Sequence, residues 1–293
     1  MMREAYIRHF KGHPGLQNGF DPTCHWCQIS TFTTHLTAHI SIVNRVDDMT
    51  LPPDFVFIQR AQPGKDIELP DPAFFSGCEC KKAATCKSAR CSCLQDMTVL
   101  DAKNADVYVY RAEAGGYVMR DEYLETREPI YECHESCVRA LQPIRKGQFI
   151  DLYVGEILTA AETEIRRKHS AITQKKDVYL FELDKFKSDA DRDPSLANTV
   201  FVDGEFRSGP TRFINHSCDP NLRIFARVGD HATKRFHDLA FFAIKDIGLE
   251  EELTFDYVDG EDEKLEEEKR NPLQKREMTR CLCKSRKCRG YLW

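Results

Sequence analysis

Apolar and polar positions alternate most clearly in the second half of the chain. "QFIDLYVGEI" (148–157) contains a strand, and "DVYLFEL" (177–183) is β-rich and alternating. "RIFARV" (223–228) and "ELTFDY" (252–257) read as further short strands. "LAFFAI" (239–244), the densest apolar run, is of strand length and reads as another short strand. Thr159 and Glu162 form a capping-box pair that opens a helix over roughly 160–174. Two stretches read as surface loop: 94–127, polar and carrying Gly115–Gly116, and the acidic "DGEDEKLEEEKRNP" (259–272). The expectation is a mainly β chain with short helices, an α+β fold, without internal repeats.

Composition narrows the class. At 293 residues, 41% hydrophobic and 30% charged, the chain can bury a sizeable core. Lys+Arg 42 against Asp+Glu 47 leaves a net charge of -5, which argues against bulk electrostatic binding to nucleic acid and is compatible with a cationic polypeptide partner. No run approaches a membrane span, and the first residues lack the apolar core of a secretory signal. The 13 cysteines are therefore expected in a reducing compartment, where such a count speaks for metal.

The cysteines fall into groups. Cys24 and Cys27 stand alone in "CHWC", and a first cluster holds Cys78, Cys80, Cys86, Cys91 and Cys93, joined by Cys133 and Cys137. Cys-x-Cys pairs suit a multinuclear zinc cluster with bridging thiolates, and the surroundings of 78–93 hold nothing that would bury free thiols. The last group is Cys281, Cys283 and Cys288, one thiolate short of a closed zinc site. Cys218, far upstream in "RFINHSCDPNL" (212–222), is the cysteine left to complete it. In that segment a histidine beside a serine also fits a hydrolase pair, but no nucleophile elbow or third partner accompanies it. A hydrogen-bonded core histidine is the plain alternative for His216.

Taken together, "RFINHSCDPN", "ELTFDY" and "CLCKSRKCRGYLW" resemble the SET and post-SET signature of protein lysine methyltransferases. The block 78–93 with "YECHESC" is similar to the pre-SET segment of enzymes acting on lysine 9 of histone H3, and "CHWCQIS" and "ISIVNRVDD" bring the chain nearest to the short fungal heterochromatin enzymes of the defective-in-methylation type. The resemblance implies small β-sheets around a pseudo-knot, flanked by the zinc-cysteine segments. It divides the chain into an N-terminal segment (1–70), a pre-SET region (71–138), a SET domain (139–258), and an acidic loop with post-SET segment (259–293). It further implies S-adenosylmethionine and zinc as cofactors, the histone H3 tail as substrate, a recruiting chromatin partner, and residence on chromosomes in the nucleus.

Methyl transfer to lysine needs a neutral amine aligned with the methyl–sulfur axis in a channel that excludes water. By resemblance, Tyr153 and Tyr257 hold the catalytic positions, although periodicity alone reads Tyr153 as a half-buried strand tyrosine. Phe255 stands where the family has Phe or Tyr; a Phe leaves room for a trimethylated product. Asp177, Tyr179, Arg212, Asn215, His216 and Trp293 are the implied cofactor-binding residues.

The chain departs from the family after Cys137, where two cysteines and a Gly-x-Gly strand that cradles the methionine end of the cofactor are absent before "VRALQPIRKGQFI". Seven cysteines satisfy two tetrahedral zinc ions if one sulfur bridges. The missing strand should leave a sheet edge and part of the cofactor pocket uncovered, so weak or absent transfer is expected of this polypeptide. The alternative is a catalytically impaired SET protein that serves as a zinc-stabilised binder of chromatin or histone tails.

Overall fold

The computed structural model describes residues 55–69, 97–113, 116–131, 144–169, 179–229, 234–248, 251–259 and 278–292. The strands there are β1 (Val56–Phe57), β2 (Gln62–Pro63), β3 (Thr98–Leu100), β4 (Asp106–Tyr108), β5 (Tyr110–Glu113), β6 (Gly116–Met119), β7 (Ile130–Tyr131) and β8 (Phe149–Tyr153). They continue as β9 (Glu156–Thr159), β10 (Leu180–Glu182), β11 (Val200–Asp203), β12 (Arg207–Ser208), β13 (Asn215–His216), β14 (Leu222–Val228), β15 (Asp238–Ala243) and β16 (Thr254–Phe255). The helices are α1 (Asp121–Leu124) and α2 (Ala160–His169). No described helix is long and apolar enough to cross a membrane.

The central sheet runs β7-β14-β15-β8. β15 lies within it, and its apolar run feeds two cores: Leu239, Phe241 and Ala243 join one cluster, while Ala240 and Phe242 join the other. That is the two-residue period of a strand with no wet face. β8 pairs antiparallel with β15 and carries one extra residue, since Ala240 opposes Leu152 whereas Phe242 opposes Phe149. This bulge puts Ile150 and Tyr153 in the same core, although strict alternation would send them to opposite faces. A second sheet runs β10-β11-β9-β2, and Arg166 of α2 ties it to the helix by bonding buried Asp203 at 2.9 Å and Glu156 at 3.0 Å.

The loop expected over 94–127 is instead built structure. β3–β4 and the β5–β6 hairpin cover one side of the central sheet, with Met97, Val109 and Met119 almost fully buried. "DVYVYRA" carries a strand period that the neighbouring polar residues obscured, and Gly116 opens β6 opposite Glu113. The Met119 amide donates to Gly147 O at 2.7 Å, just ahead of β8, and Gly147 N donates to Ala243 O at 2.7 Å. Gly147 has φ +83, and a Cβ there would stand 2.1 Å from Met119 O, so no other residue fits. The hairpin is thereby tied to the start of β8.

Thr159 starts α2 as foreseen, its hydroxyl accepting from Glu162 N at 3.2 Å, while Glu162 turns to Arg166 rather than back to the cap. Residues 170–178 lie outside the described residues, as does nearly all of the acidic run.

Candidate active site and metal centre

The segment 210–218 meets the strand at Thr254–Phe255, which leads into Asp256 and Tyr257. After a short turn at Pro210–Phe213, β13 pairs parallel with β16, setting Asn215 against Thr254 and His216 against Phe255. Asn221 holds this pairing: its Oδ1 accepts from Thr254 N at 2.8 Å, and its Nδ2 donates to Glu252 O at 2.8 Å. Thr211 Oγ1 donates to Leu152 O at 2.8 Å, which fixes the segment to β8.

This pairing brings the two foreseen tyrosines into one aromatic cluster. Tyr153 is 4% exposed, its hydroxyl donates to Tyr179 O at 3.0 Å, and its ring lies 4.5 Å from Phe181. Tyr257 donates its hydroxyl to Ile214 O at 2.7 Å and packs 4.6 Å from Phe255. Phe181 and Phe255 bridge the pair, 6.0 Å apart, and Phe241 closes the floor 5.0 Å from Phe255. Burial pushes both phenols up from their ordinary pKa, so each stays protonated at neutral pH. Phe181 was not singled out beforehand, though the period of "VYLFEL" does place it on the face of Tyr179.

Asn215 is exposed and donates to Glu252 Oε1 at 2.7 Å. The His216 side chain is 6% exposed; Nδ1 accepts from Tyr257 N at 3.2 Å, leaving Nε2 3.2 Å from Cys218 Sγ. Burial lowers its pKa, with Arg289 acting in the same direction and Asp256 opposing. Arg212 is fully engaged on one side: Nε donates to Gly204 O at 2.8 Å and Nη2 to Glu205 O at 3.3 Å, and its plane lies 4.0 Å from the Tyr179 ring.

The chain's far end returns to this site. His216, Cys218, Cys281 and Cys283 place their ligand atoms within 4.8 Å of one another. Cys218 and Cys281 sulfurs are 3.7 Å apart, against about 3.8 Å for two thiolates on one tetrahedral zinc. The donor set therefore fits zinc. Cys288, expected as the fourth ligand, stays outside that group: it is exposed, touches Cys281, and its sulfur accepts from Gly290 N at 3.4 Å. Burial opposes ionisation of Cys283, yet the Cys218 and Ser285 amides and the Ser285 hydroxyl bring its pKa down to about 6. Burial raises the thiols of Cys218 and Cys281. Arg289 adds a second tie that was not foreseen, bonding both Asp256 oxygens at 2.7 and 2.5 Å. Cys24, Cys27, Cys78, Cys80, Cys86, Cys91, Cys93, Cys133, Cys137, Asp177 and Trp293 lie outside the described residues.

Comparison with known proteins agrees with this geometry. The SET domain model matches residues 135–258 and the Pre-SET motif model residues 32–139, so the two meet and overlap at 135–139. The H3 lysine-9 specific histone-lysine N-methyltransferase dim-5 of Neurospora crassa is 44% identical over 332 aligned positions, covering 100% of both chains. An H3 lysine-9 specific enzyme of Fusarium mangiferae is 43% identical, covering 100% of this chain and 99% of its own. The solved structure of Neurospora DIM-5 superposes with a TM-score of 0.62 and 43% identity, over 76% of this chain and 96% of that one. The 332 aligned positions exceed this chain's 293 residues, so the Neurospora enzyme contains residues that have no counterpart here.

Proposed function

This chain belongs to the SET-domain family of histone-lysine methyltransferases with a pre-SET motif, and from that premise we propose that it methylates lysine 9 of the histone H3 tail to the trimethyl state. The observation that carries the reading is the convergence of Tyr153, Tyr257, Phe181 and Phe255 in one aromatic cluster. S-adenosylmethionine, when bound, supplies an electrophilic methyl group on a sulfonium. Asn215, His216, Tyr179 and Arg212 are the residues that would hold it, with Asp177 and Trp293 assigned by resemblance.

The residues present account for the remaining demands of the reaction. Apolar walls from Phe181 and Phe255 would disfavour the lysine ammonium, so that it gives its proton to bulk water on entering, before attack. The buried phenols stay neutral and orient the amine without competing for the methyl group. Phe255 offers no hydroxyl to tether a partly methylated amine, which permits successive rounds to the trimethyl product.

Zinc has a structural part. Cys218, Cys281 and Cys283 would hold one ion, with the fourth position taken by Cys288, as the resemblance implies, or by His216, whose ligand atom already lies within the group. The ion would tie 215–218 to the last residues and thus fold Trp293 toward the cofactor. The pre-SET cysteines would hold further zinc. The protein acts on nucleosomes in the nucleus, brought there by a chromatin partner.

The test is transfer of tritiated methyl from S-adenosylmethionine to an H3 tail peptide, with Tyr257→Phe as control. Transfer that depends on Tyr257 supports the enzyme. Absence of both transfer and calorimetric cofactor binding would instead favour the chromatin-binding reading.

A further inference from the structure

The N-terminal segment reaches further into the site than its position in the sequence implies. Residues 55–64 run as a strap along two sheets: Val56 N and Ile58 N donate to Phe206 O and Ser208 O at 2.8 and 3.0 Å. Gln62 N and Gly64 N then donate to Gly155 O and Ile157 O at 2.9 and 2.8 Å. At its head sits Phe55, 9% exposed, braced edge-on by Phe57 at 5.0 Å.

The Phe55 ring faces a guanidinium. Arg212 lies 5.0 Å from Phe55, 4.0 Å from Tyr179 and 5.3 Å from Phe213, so three rings surround one cation. Its edge is spent on the Gly204 and Glu205 carbonyls. Gly204 N donates to Tyr179 O at 3.0 Å, and that same carbonyl accepts the Tyr153 hydroxyl. Phe55, Arg212, Gly204, Tyr179 and Tyr153 thus form one continuous chain of contacts ending at a catalytic phenol.

We propose that Phe55 is a positioning residue for methyl transfer, acting through Arg212 to hold the 204–205 backbone and the Tyr153 phenol in register. The proposal rests on the methyltransferase reading above. A planar guanidinium needs its faces covered to stay in one orientation, and aromatic faces do this without competing for its N–H groups. Losing one ring from a desolvated stack shifts such an orientation by roughly tenfold. The strap thereby makes the region ahead of the pre-SET cysteines part of the catalytic machinery.

Two measurements on the full chain test this. In arginine-labelled protein, NMR should show the Arg212 δ protons moved upfield by the surrounding rings and its Nε–H slow to exchange. Phe55→Leu should relax both signals and lower kcat about tenfold, with KM for the H3 peptide nearly constant; Phe55→Tyr should restore kcat and spectrum. Equal losses in Phe55→Leu and Phe55→Tyr would reduce Phe55 to a packing residue and overturn the proposal. Arg212 resonances at random-coil positions in the unaltered chain would overturn it directly. If the unaltered chain transfers no methyl, the functional reading fails by itself, and the Arg212 spectrum still decides whether the cage exists.

Discussion

Gly204 offers the sharpest perturbation. It follows β11 and needs no left-handed backbone, so alanine would meet no strain in φ. A Cβ there would, however, stand 2.4 Å from Tyr153 Oη, 3.0 Å from Tyr153 Cζ and 3.1 Å from Ser208 Oγ. Unstrained contacts lie nearer 3.5 Å, so the phenol must retreat by about 1 Å. It has nowhere free to go, because Tyr179 O holds the hydroxyl and Phe181 lies against the ring. Overpacking of this kind costs about 1–3 kcal/mol, and a 1 Å misplacement at a reacting centre costs on the order of 100-fold in rate. Gly204→Ala should therefore lower kcat about 100-fold while Tm falls by only a few degrees. Adding Tyr153→Phe removes the shortest contact and should recover stability but not activity. Gly209→Ala serves as control, since its Cβ would meet only the yielding Val154 Cγ2 at 3.1 Å and Ile58 O at 3.6 Å. Methyl-transfer kinetics and thermal melts read the outcome. A Gly204→Ala protein with unaltered kcat and Tm would refute the claim that the Tyr153 phenol is held by contact with 204.

Three further outcomes follow from the site. Phe255→Tyr adds a hydroxyl amid rings 4.6 and 5.0 Å away; one new hydrogen bond of about 1 kcal/mol should cut the trimethyl fraction about fivefold in favour of lower products, read by mass spectrometry of the peptide. Cys218→Ser should lower bound zinc by about one ion per chain in elemental analysis and weaken cofactor binding in calorimetry, because the last residues lose their tie to 215–218. Burial raises the Tyr153 and Tyr257 pKa values, so above about pH 10 the unfolded chain loses these protons first and stability falls as pH rises. Below that pH the two phenols add no slope; Tyr153→Phe should flatten the alkaline limb of a Tm-against-pH curve, and an unchanged limb would show that the buried phenol does not govern it.

The strands at 149–157, 222–228 and 238–243 were legible from the chain because burial of one or both faces writes a period into the residues. Cys218 was likewise assignable to the terminal cysteines, although it meets Cys281 and Cys283 together with His216 rather than with Cys288. Local pattern failed where polar composition masked a real strand period, as in the β5–β6 hairpin, and where function rests on backbone atoms. Gly204 O, Tyr179 O and Ile214 O organise the site, yet any side chain could precede or follow a carbonyl. Nothing around Phe55 signals its partner either, because Arg212 is 157 positions away and meets it only through the strap.

Tyr153 marks the boundary most plainly. The residue type, in "LYVGE", was there to be read, but alternation along 149–153 would turn its side chain away from Ile150. The extra residue of β8 opposite β15 reverses that direction and sends the phenol toward Tyr179 and Phe181. A bulge depends on how two strands align, not on either strand alone. The sequence by itself determined most of the strands that form and the residue types that the proposed chemistry needs; pairing between distant strands decided which way the Tyr153 side chain faces.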